Sequence, residues 1–329
     1  MSSQPESTAM PKGNSFARTM WSDFGMVIVL IILFIFCAVF VPRFFSPINM
    51  RALALAVSMT GMVACTMMLC LASGNFDMSC GAVIACSGVV CAVMINKAFP
   101  YVGNYSIYVG LFFALLVGFL VGLANGLIIA YARINALITT LATMQIARGI
   151  GYIICDGKAV GISQENFFYL GTGSWFMVPI PVYITVCCFI IFGIILERTS
   201  FGRNTLAIGG NEEAANLAGI RVAYHKLRLF IIHGLMSALA GIVLASRMTS
   251  GQPTTSQGFE LDVISSCVLG GISMSGGLGS IWYAVSGVLI MGIVQNSMNL
   301  MNVPTFYQYV ARGLILLMAV IFDRYKQRN

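Results

Sequence analysis

The sequence predicts an all-α integral membrane protein, and three observations lead to this fold class. Of the 329 residues, 58% are hydrophobic and only 9% are charged, whereas about a quarter of the residues of an average soluble protein are charged. Apolar segments recur along the chain, most of them with the roughly 20 residues that a helix needs to cross a bilayer. The charged residues are concentrated between these segments, above all in residues 198–226.

About ten apolar segments are the predicted membrane helices. Residues 1–22 are polar and rich in serine, so we expect a short cytoplasmic tail followed by a transmembrane domain over residues 23–329. The first apolar run is predicted to be retained, because residues 42–45 offer no small-residue cleavage site for a secretory signal. The predicted helices cover residues 25–41, 50–72, 81–95, 106–131, 136–155, 181–197, 227–246, 261–270, 279–301 and 306–322. The eighth is too short to cross unaided, which indicates a broken or tilted helix.

Basic residues predict the side of the membrane that each loop faces, because lysine and arginine are enriched in cytoplasmic loops. The basic regions are the tail, the loop at 198–226 and the C-terminus. An even number of predicted helices separates these regions, so the loop and both termini are predicted to be cytoplasmic. Four other basic residues fall on the opposite side and weaken this bias without reversing it. Residues 156–179 would then form the longest outer loop.

A weak internal repeat indicates two inverted halves. Residues 122–126 (GLANG), followed by 147–149 (ARG), match residues 292–296 (GIVQN), followed by 311–313 (ARG). The first copy lies in predicted helices four and five, and the second lies in helices nine and ten. Because the copies are five helices apart, an odd number, they would cross the membrane in opposite orientations, as in many transporters. The alternative is recurrence by composition, because 34 glycines make chance matches easy.

The charged stretch 201–221 contains a predicted short helix. Asn211 is a good N-cap, two glutamates place negative charge on the first turn, and Gly219 supplies a stop. A helix of about two turns is marginal in water, so this one needs something to pack against. Its two small alanines would allow a partner to approach closely. The alternative is an amphipathic connector that lies on the lipid headgroups.

The same helix carries a motif of a known family. Glu213-Ala214-Ala215, followed after three residues by Gly219, resembles the EAA motif of the permeases of bacterial ATP-binding-cassette (ABC) importers. In that family this loop is the coupling helix, which docks into a groove on the ATPase. The resemblance implies that coupling to the ATPase depends on Asn211, Glu212, Glu213, Ala214, Ala215, Leu217 and Gly219.

The resemblance to this family covers nearly the whole chain. Matches to the permeases of ribose and related monosaccharides lie at residues 77–79 (DMS), 201–203 (FGR), 207–211 (AIGGN), 269–271 (LGG) and 275–277 (SGG). More specific runs resemble the L-arabinose branch of the family, at residues 134–144, 156–161 and 246–253. One departure is Cys80, where the family commonly has valine.

The resemblance implies a permease subunit in the bacterial cytoplasmic (inner) membrane that transports a pentose, L-arabinose above all. It also implies a second permease copy, a periplasmic sugar-binding protein and a separate ATPase that holds ATP and magnesium. No cofactor is expected on this chain. The sequence contains no phosphate-binding Gly-x-x-x-x-Gly-Lys-[Ser/Thr] motif, so ATP hydrolysis must take place on another chain. We expect the apolar segments to contact membrane lipid. We do not expect a nucleic-acid partner.

Polar side chains within the apolar segments are candidates for a sugar path, because a sugar offers hydroxyls and no charge. Ionisable residues in such segments are costly and should face protein or water rather than lipid. The candidates are Asp77, Asn125, Thr139, Thr140, Thr143, Gln145, Arg148, Asn296, Asn299 and Arg312. The alternative is that these side chains hold helices together, which is common in membrane proteins.

Two other classes of protein serve as comparisons. An ion-coupled secondary sugar transporter would share inverted repeats and a membrane carboxylate such as Asp77, but would work without an ATPase. A membrane enzyme would need a nucleophile with a base, or a metal cluster. The two histidines, at 225 and 233, have no Cys or carboxylate spacing around them, so no metal site is predicted. The ten cysteines lie mostly in apolar runs, where we expect small hydrophobic side chains.

Overall fold

Helices form most of the structure and strands very little of it, which confirms the all-α class. The computed structural model describes residues 15–328, and the side-chain surroundings of residues 25–321. The helices of this part are α1 (Ser15–Phe40), α2 (Pro47–Ala72), α3 (Cys80–Val102), α4 (Ser106–Ala130), α5 (Ala136–Ile154), α6 (Glu165–Thr172), α7 (Ile180–Arg198), α8 (Ser200–Gly210), α9 (Glu212–Leu217), α10 (Val222–Met248), α11 (Phe259–Gly270), α12 (Ile281–Leu300) and α13 (Thr305–Arg328). The predicted tail, residues 1–22, lies mostly outside the described residues.

The short strands form two small antiparallel pairs. Their bounds are β1 (Val160–Gly161), β2 (Ser174–Trp175), β3 (Val178–Pro179) and β4 (Ser250–Gly251). β1 pairs with β4, and β2 pairs with β3. The segment predicted as the longest outer loop, 156–179, therefore contains β1, α6 and the β2–β3 hairpin.

The count of about ten membrane-spanning helices is not confirmed. Within the described residues, six helical stretches are long and apolar enough to cross a membrane. Five are α2, α5, α7, α10 and α12, and the sixth, Cys80–Ala130, contains both α3 and α4. Two shorter apolar segments lie at Gly25–Phe40 and Thr305–Ile321. Helix α11 has 12 residues, too few to cross a bilayer alone, as the sequence predicts. The inverted repeat stays a prediction.

The core lies around α2, α3 and α10. Large side chains of α2, among them Met62, Met67 and Leu69, are at most 1% exposed. All ten cysteines are free and nine are buried, which confirms that they act as small hydrophobic side chains.

Helices α4 and α10 pack with their backbones in close contact. A Cβ atom added at Gly122 of α4 would lie 2.5 Å from the carbonyl oxygen of Phe230 on α10, and one added at Gly118 or Gly234 would overlap the backbone of the opposite helix. Small residues permit this approach, and van der Waals contact then holds the membrane helices together. The glycines of α4 are therefore packing residues.

Helix α8 was not predicted. The only helix predicted in this loop begins after Asn211. In the structure Thr205 and Ile208 of α8 are buried, and the Thr205 hydroxyl lies 2.8 Å from Nε2 of His225 on α10. Tertiary packing thus stabilises a helix that local preference disfavours.

Candidate functional site

A buried carboxylate, Asp77, lies in the loop between α2 and α3. It is 1% exposed, and its Oδ1 atom accepts two hydrogen bonds from Ser79, one from the backbone N–H at 2.8 Å and one from the hydroxyl at 2.5 Å. Binding to the backbone two residues later is an Asx turn, which shapes the loop immediately before α3. These hydrogen bonds offset part of the cost of burying an ionisable group.

Further polar residues extend this cluster to α4 and α5. Asn125 of α4 donates to the hydroxyl oxygen of Ser79 at 3.0 Å, and Thr143 of α5 donates to Oδ1 of Asn125 at 2.7 Å. The hydroxyl oxygen of Thr140, also on α5, accepts from the backbone N–H of Met78 at 3.1 Å. We call the connected residues the Asp77 network: Asp77, Ser79, Asn125, Thr140 and Thr143. The structure thus brings together four of the predicted path residues.

Ser79 joins the carboxylate to Asn125, although it was not among the predicted site residues. A signal was available, because Asp and Ser two residues apart form a recurrent local hydrogen-bonded turn. The partner across the membrane domain, Asn125, is 46 residues away, and the sequence holds no sign of that contact.

The other uncharged path candidates lie apart from the network. Thr139 is buried and donates to a backbone carbonyl four residues earlier, at 3.0 Å. Gln145 is exposed. Asn296 exchanges two hydrogen bonds with an asparagine of α2, at 2.8 and 2.9 Å, and Asn299 accepts from Gln308 at 3.0 Å. The contacts of Asn296 and Asn299 connect neighbouring helices.

Arg148 binds the segment that precedes α11. Its Nη1 atom donates to the carbonyl oxygens of Pro253 and Thr255 at 3.0 and 2.6 Å, and Nη2 donates to that of Ser256 at 3.4 Å. The guanidinium fork has donors for all three. These hydrogen bonds connect α5 with the segment immediately before α11. They agree with the alternative that this arginine holds parts of the protein together.

Arg312 of α13 holds the same short helix. Its Nη1 atom lies 3.0 Å from Oδ2 of Asp262, which belongs to the first turn of α11 together with Glu260. Acidic side chains are favoured at a helix N-terminus. Neither acidic residue was among the predicted site residues, although they are the only acidic residues between Glu213 and Asp323. The two arginines of the weak repeat therefore anchor the start of α11 to α5 and to α13.

The predicted helix of the charged loop is confirmed as α9. Oδ1 of Asn211 accepts from the backbone N–H of Ala214 at 2.9 Å, so Asn211 is the N-cap. After the helix, Gly219 has φ of 86°, the left-handed conformation that glycine adopts readily at a helix end. Glu212 forms an ion pair with Lys226 at 2.7 Å, which connects α9 with the first turns of α10.

The two faces of α9 differ in exposure. Ala215 is 4% exposed and packs with Ile208 of α8 and Val222 of α10. Leu217 is 89% exposed, and Glu213 is also exposed. The structure therefore places Ala215 against helices of its own chain, because a helix this short needs packing to persist. The outward face carries an apolar side chain beside an acidic one.

Glycine backbones connect α8 with the loop of the Asp77 network. A Cβ atom added at Gly209, near the end of α8, would overlap the carbonyl oxygen of Ala72, the last residue of α2. The N–H of Gly277 donates to the same carbonyl oxygen at 2.9 Å, and Gly276 is in close backbone contact with Gly209. Asp77 follows Ala72 by five residues, so α8 lies against the segment that leads into the loop of the network. We call α8 and α9 together the coupling segment.

A cavity of about 350 Å³ lies between α2, α7 and α12. Its lining is apolar apart from Ser58 and Thr185, whose hydroxyls already donate to backbone carbonyls. A sugar needs polar partners for its hydroxyls, so this cavity does not fit one.

Within the described residues, no three His, Cys, Asp or Glu side chains are arranged to hold a metal ion. The histidines contact threonine hydroxyls instead. His225 lies beside α8, as described above, and Nδ1 of His233 on α10 lies 2.9 Å from the hydroxyl of Thr66 on α2. Both contacts connect α10 with a neighbouring helix.

Several known proteins resemble this chain along nearly its full length. The L-arabinose transport system permease protein AraH of Escherichia coli (strain K12) is 59% identical over 97% of this chain and 95% of its own. The L-arabinose ABC transporter permease protein AraH of Azospirillum brasilense is 47% identical over 93% and 88%. The ribose import permease protein RbsC of Bacillus subtilis (strain 168) is 38% identical over 92% of each chain. No solved structure matches the chain.

A protein family also matches residues 49–320. This range runs from the first turn of α2 into α13, and it contains both the Asp77 network and the coupling segment. The chain therefore belongs to the family of transport permeases described as "Branched-chain amino acid transport system / permease component".

Proposed function

We propose that this chain is the membrane-spanning permease subunit of an ABC importer for L-arabinose. One observation carries the proposal: two permeases whose names specify L-arabinose are 59% and 47% identical to the chain over nearly its whole length. The ribose permease is 38% identical over a similar length. The chain is a transport subunit rather than an enzyme, and ATP and magnesium are held by a separate ATPase.

The coupling segment supplies the surface for that ATPase. The exposed side chains of Glu213 and Leu217 are suited to a groove that combines an apolar pocket with a basic or polar rim. Asn211 and Gly219 define the two ends of α9, while Ala215 holds it against the chain. Closure of the ATPase would push on α9, and the glycine contacts of α8 would carry the movement to the loop of the Asp77 network.

We also infer the remaining assembly, for which the family supports an ATPase and a binding protein. A second copy of the permease completes the pathway, a periplasmic binding protein delivers the sugar, and lipid surrounds the apolar helices. The basic residues of 198–226 support a cytoplasmic position for the coupling segment and for both chain termini, in the bacterial inner membrane. Specificity for the sugar then rests mainly with the binding protein.

The sugar path is proposed to include the Asp77 network. Its hydroxyl and amide groups bond to one another in this structure, which is the arrangement expected of a closed gate. Movement of the network loop would free these groups for sugar hydroxyls. The other predicted residues remain candidates for the path: Thr139, Gln145, Arg148, Asn296, Asn299 and Arg312.

Reconstituted transport tests this function directly. We expect proteoliposomes containing the chain, its ATPase and its binding protein to accumulate labelled L-arabinose only when ATP and magnesium are supplied. Labelled ribose, presented with the same binding protein, should accumulate less. Uptake by this chain alone, driven by an ion gradient and unaffected by removal of ATP, would show a secondary transporter instead.

Two substitutions in the coupling segment should separate ATP hydrolysis from transport. Gly219→Val forces a β-branched residue into the left-handed conformation, at a cost of about 1–2 kcal/mol, and Ala215→Phe cannot fit between α8 and α10. Because every 1.4 kcal/mol is a factor of about ten, we expect coupled uptake to fall about tenfold while membrane insertion is unchanged. The measurement is sugar transported per ATP hydrolysed in proteoliposomes.

Gly219→Asn is the matched control, because asparagine tolerates the left-handed conformation and nothing lies within 4 Å of a Cβ atom at this position. It should transport nearly as well as the unsubstituted chain. Unchanged transport in both Gly219→Val and Ala215→Phe would contradict a coupling role for α9.

A further inference from the structure

A small hairpin immediately before α7 presents an apolar tip. Strands β2 and β3 pair with Trp175 opposite Val178, which leaves Phe176 and Met177 as the two turn residues. Trp175, Phe176 and Met177 are 64%, 83% and 90% exposed. The rings of Trp175 and Phe176 stack with their centroids 5.7 Å apart, so the exposed side chains form one continuous patch.

The turn residues are unusual for their conformation. Phe176 and Met177 have φ of 45° and 66°, and a two-residue hairpin with positive φ at both positions normally carries asparagine and glycine. Large side chains are rarely found in this conformation. Two large apolar side chains therefore occupy a strained backbone conformation at the most exposed point of the hairpin. Strain of this kind is found at functional positions, which indicates that the two side chains themselves have a role.

The position and surroundings of the hairpin indicate what covers this patch. The Tyr183 hydroxyl, in the first turn of α7, donates to the carbonyl oxygen of Trp175 at 2.9 Å, so the hairpin folds back onto the end of a candidate membrane span. Residues 166–196 contain no charged side chain. Trp and Tyr are enriched where a membrane protein crosses the boundary between headgroups and acyl chains, whereas a protein partner usually meets a polar rim around the contact.

We propose that the β2–β3 hairpin is an interfacial anchor, which inserts Trp175, Phe176 and Met177 into the headgroup and acyl boundary of the bilayer beside α7. The aromatic rings of Trp175 and Tyr183 have an apolar body and a polar atom, which suits this layer. The anchor holds the start of α7, the helix that leads directly into the coupling segment.

Tryptophan fluorescence tests the anchor in the full chain. The chain has three tryptophans, so Trp21→Phe and Trp282→Phe leave Trp175 as the single reporter. In proteoliposomes we expect its emission to be blue-shifted and quenched by phospholipids brominated near the headgroup end of the acyl chain, and quenched less by those brominated near the terminal methyl. Soluble iodide should quench it weakly.

A second variant isolates the apolar tip. Phe176→Asn with Met177→Gly, in the same single-tryptophan background, supplies the preferred turn residues and removes the two side chains. We expect this variant to fold, to lose most of the quenching by brominated lipid and to become accessible to iodide.

Two results would overturn the anchor. The first is emission from Trp175 in the original hairpin that is unaffected by brominated lipid and strongly quenched by iodide. The second is protection from iodide that arises only when the sugar-binding protein is added, which would assign the patch to that protein. Neither readout depends on transport, so the outcome is separate from that of the proposed function.

Discussion

Gly209→Ala should reduce L-arabinose uptake about tenfold, because the added methyl group would separate α8 from the end of α2. A Cβ atom at Gly209 would overlap the carbonyl oxygen of Ala72 and lie 2.5 Å from the N atom of Gly277. All of these are backbone atoms, which cannot rotate away as a side chain can. Overpacking of this kind costs about 1–3 kcal/mol and occasionally more, and each 1.4 kcal/mol is a factor of about ten.

The neighbouring glycine provides the control for this result. A Cβ atom at Gly210 meets nothing within 4 Å, so Gly210→Ala makes the same chemical change at the next position without a clash. Both variants would be compared for uptake, for ATP hydrolysis and for heat stability in detergent. Equal uptake by the two variants would show that the contact between Gly209 and Ala72 does not carry the movement of the coupling segment.

Gly122→Ala should destabilise the whole membrane domain, because it separates α4 from α10. The new Cβ atom would lie 2.5 Å from the carbonyl oxygen of Phe230 and 2.9 Å from Cα of Ile231. Since the glycine contacts extend along both helices, the clash cannot be relieved by moving one side chain. We expect a loss of about 2–3 kcal/mol, measured as a lower temperature at which the protein loses its monodisperse peak in size-exclusion chromatography.

Gly149→Ala in α5 is the matched substitution for this second prediction. Nothing lies within 4 Å of a Cβ atom at Gly149, and alanine has the higher helix propensity, so stability should be unchanged or slightly higher. Similar heat stability for the two variants would contradict the importance of close contact between α4 and α10.

Local features of the structure could be predicted because the interactions behind them span only a few residues. Asn211 caps α9 through a hydrogen bond to a residue three positions later, and Gly219 ends that helix through its own backbone conformation. The long apolar segments and the burial of the cysteines follow equally from composition. The number of membrane crossings could not be settled this way, since α11 has only 12 residues and, within the described residues, the apolar segments Gly25–Phe40 and Thr305–Ile321 are shorter than the six candidate spans.

Contacts between distant residues were beyond prediction. Asp77 and Asn125 were predicted separately, as polar residues in or beside apolar segments. Only the fold shows that Ser79 joins them through hydrogen bonds. Arg312 was identified without its partner Asp262, which lies 50 residues away. Helix α8 also escaped prediction, because it packs on residues of α2, α7 and α10 that are distant in sequence or lie on other helices.

Three properties could be read from the amino-acid sequence without a structure: the chain is helical and embedded in a membrane, it has a short capped helix in its charged loop, and it resembles sugar permeases. Each of these depends on hydrophobicity, on local hydrogen bonds or on motifs, which are properties of neighbouring residues. Three other properties became visible only in the folded chain: the Asp77 network joins a loop to α4 and α5, Gly209 touches Ala72, and Ala215 faces inward. These depend on which helix surfaces meet, and close packing of backbones fixes that choice only when the whole domain has folded.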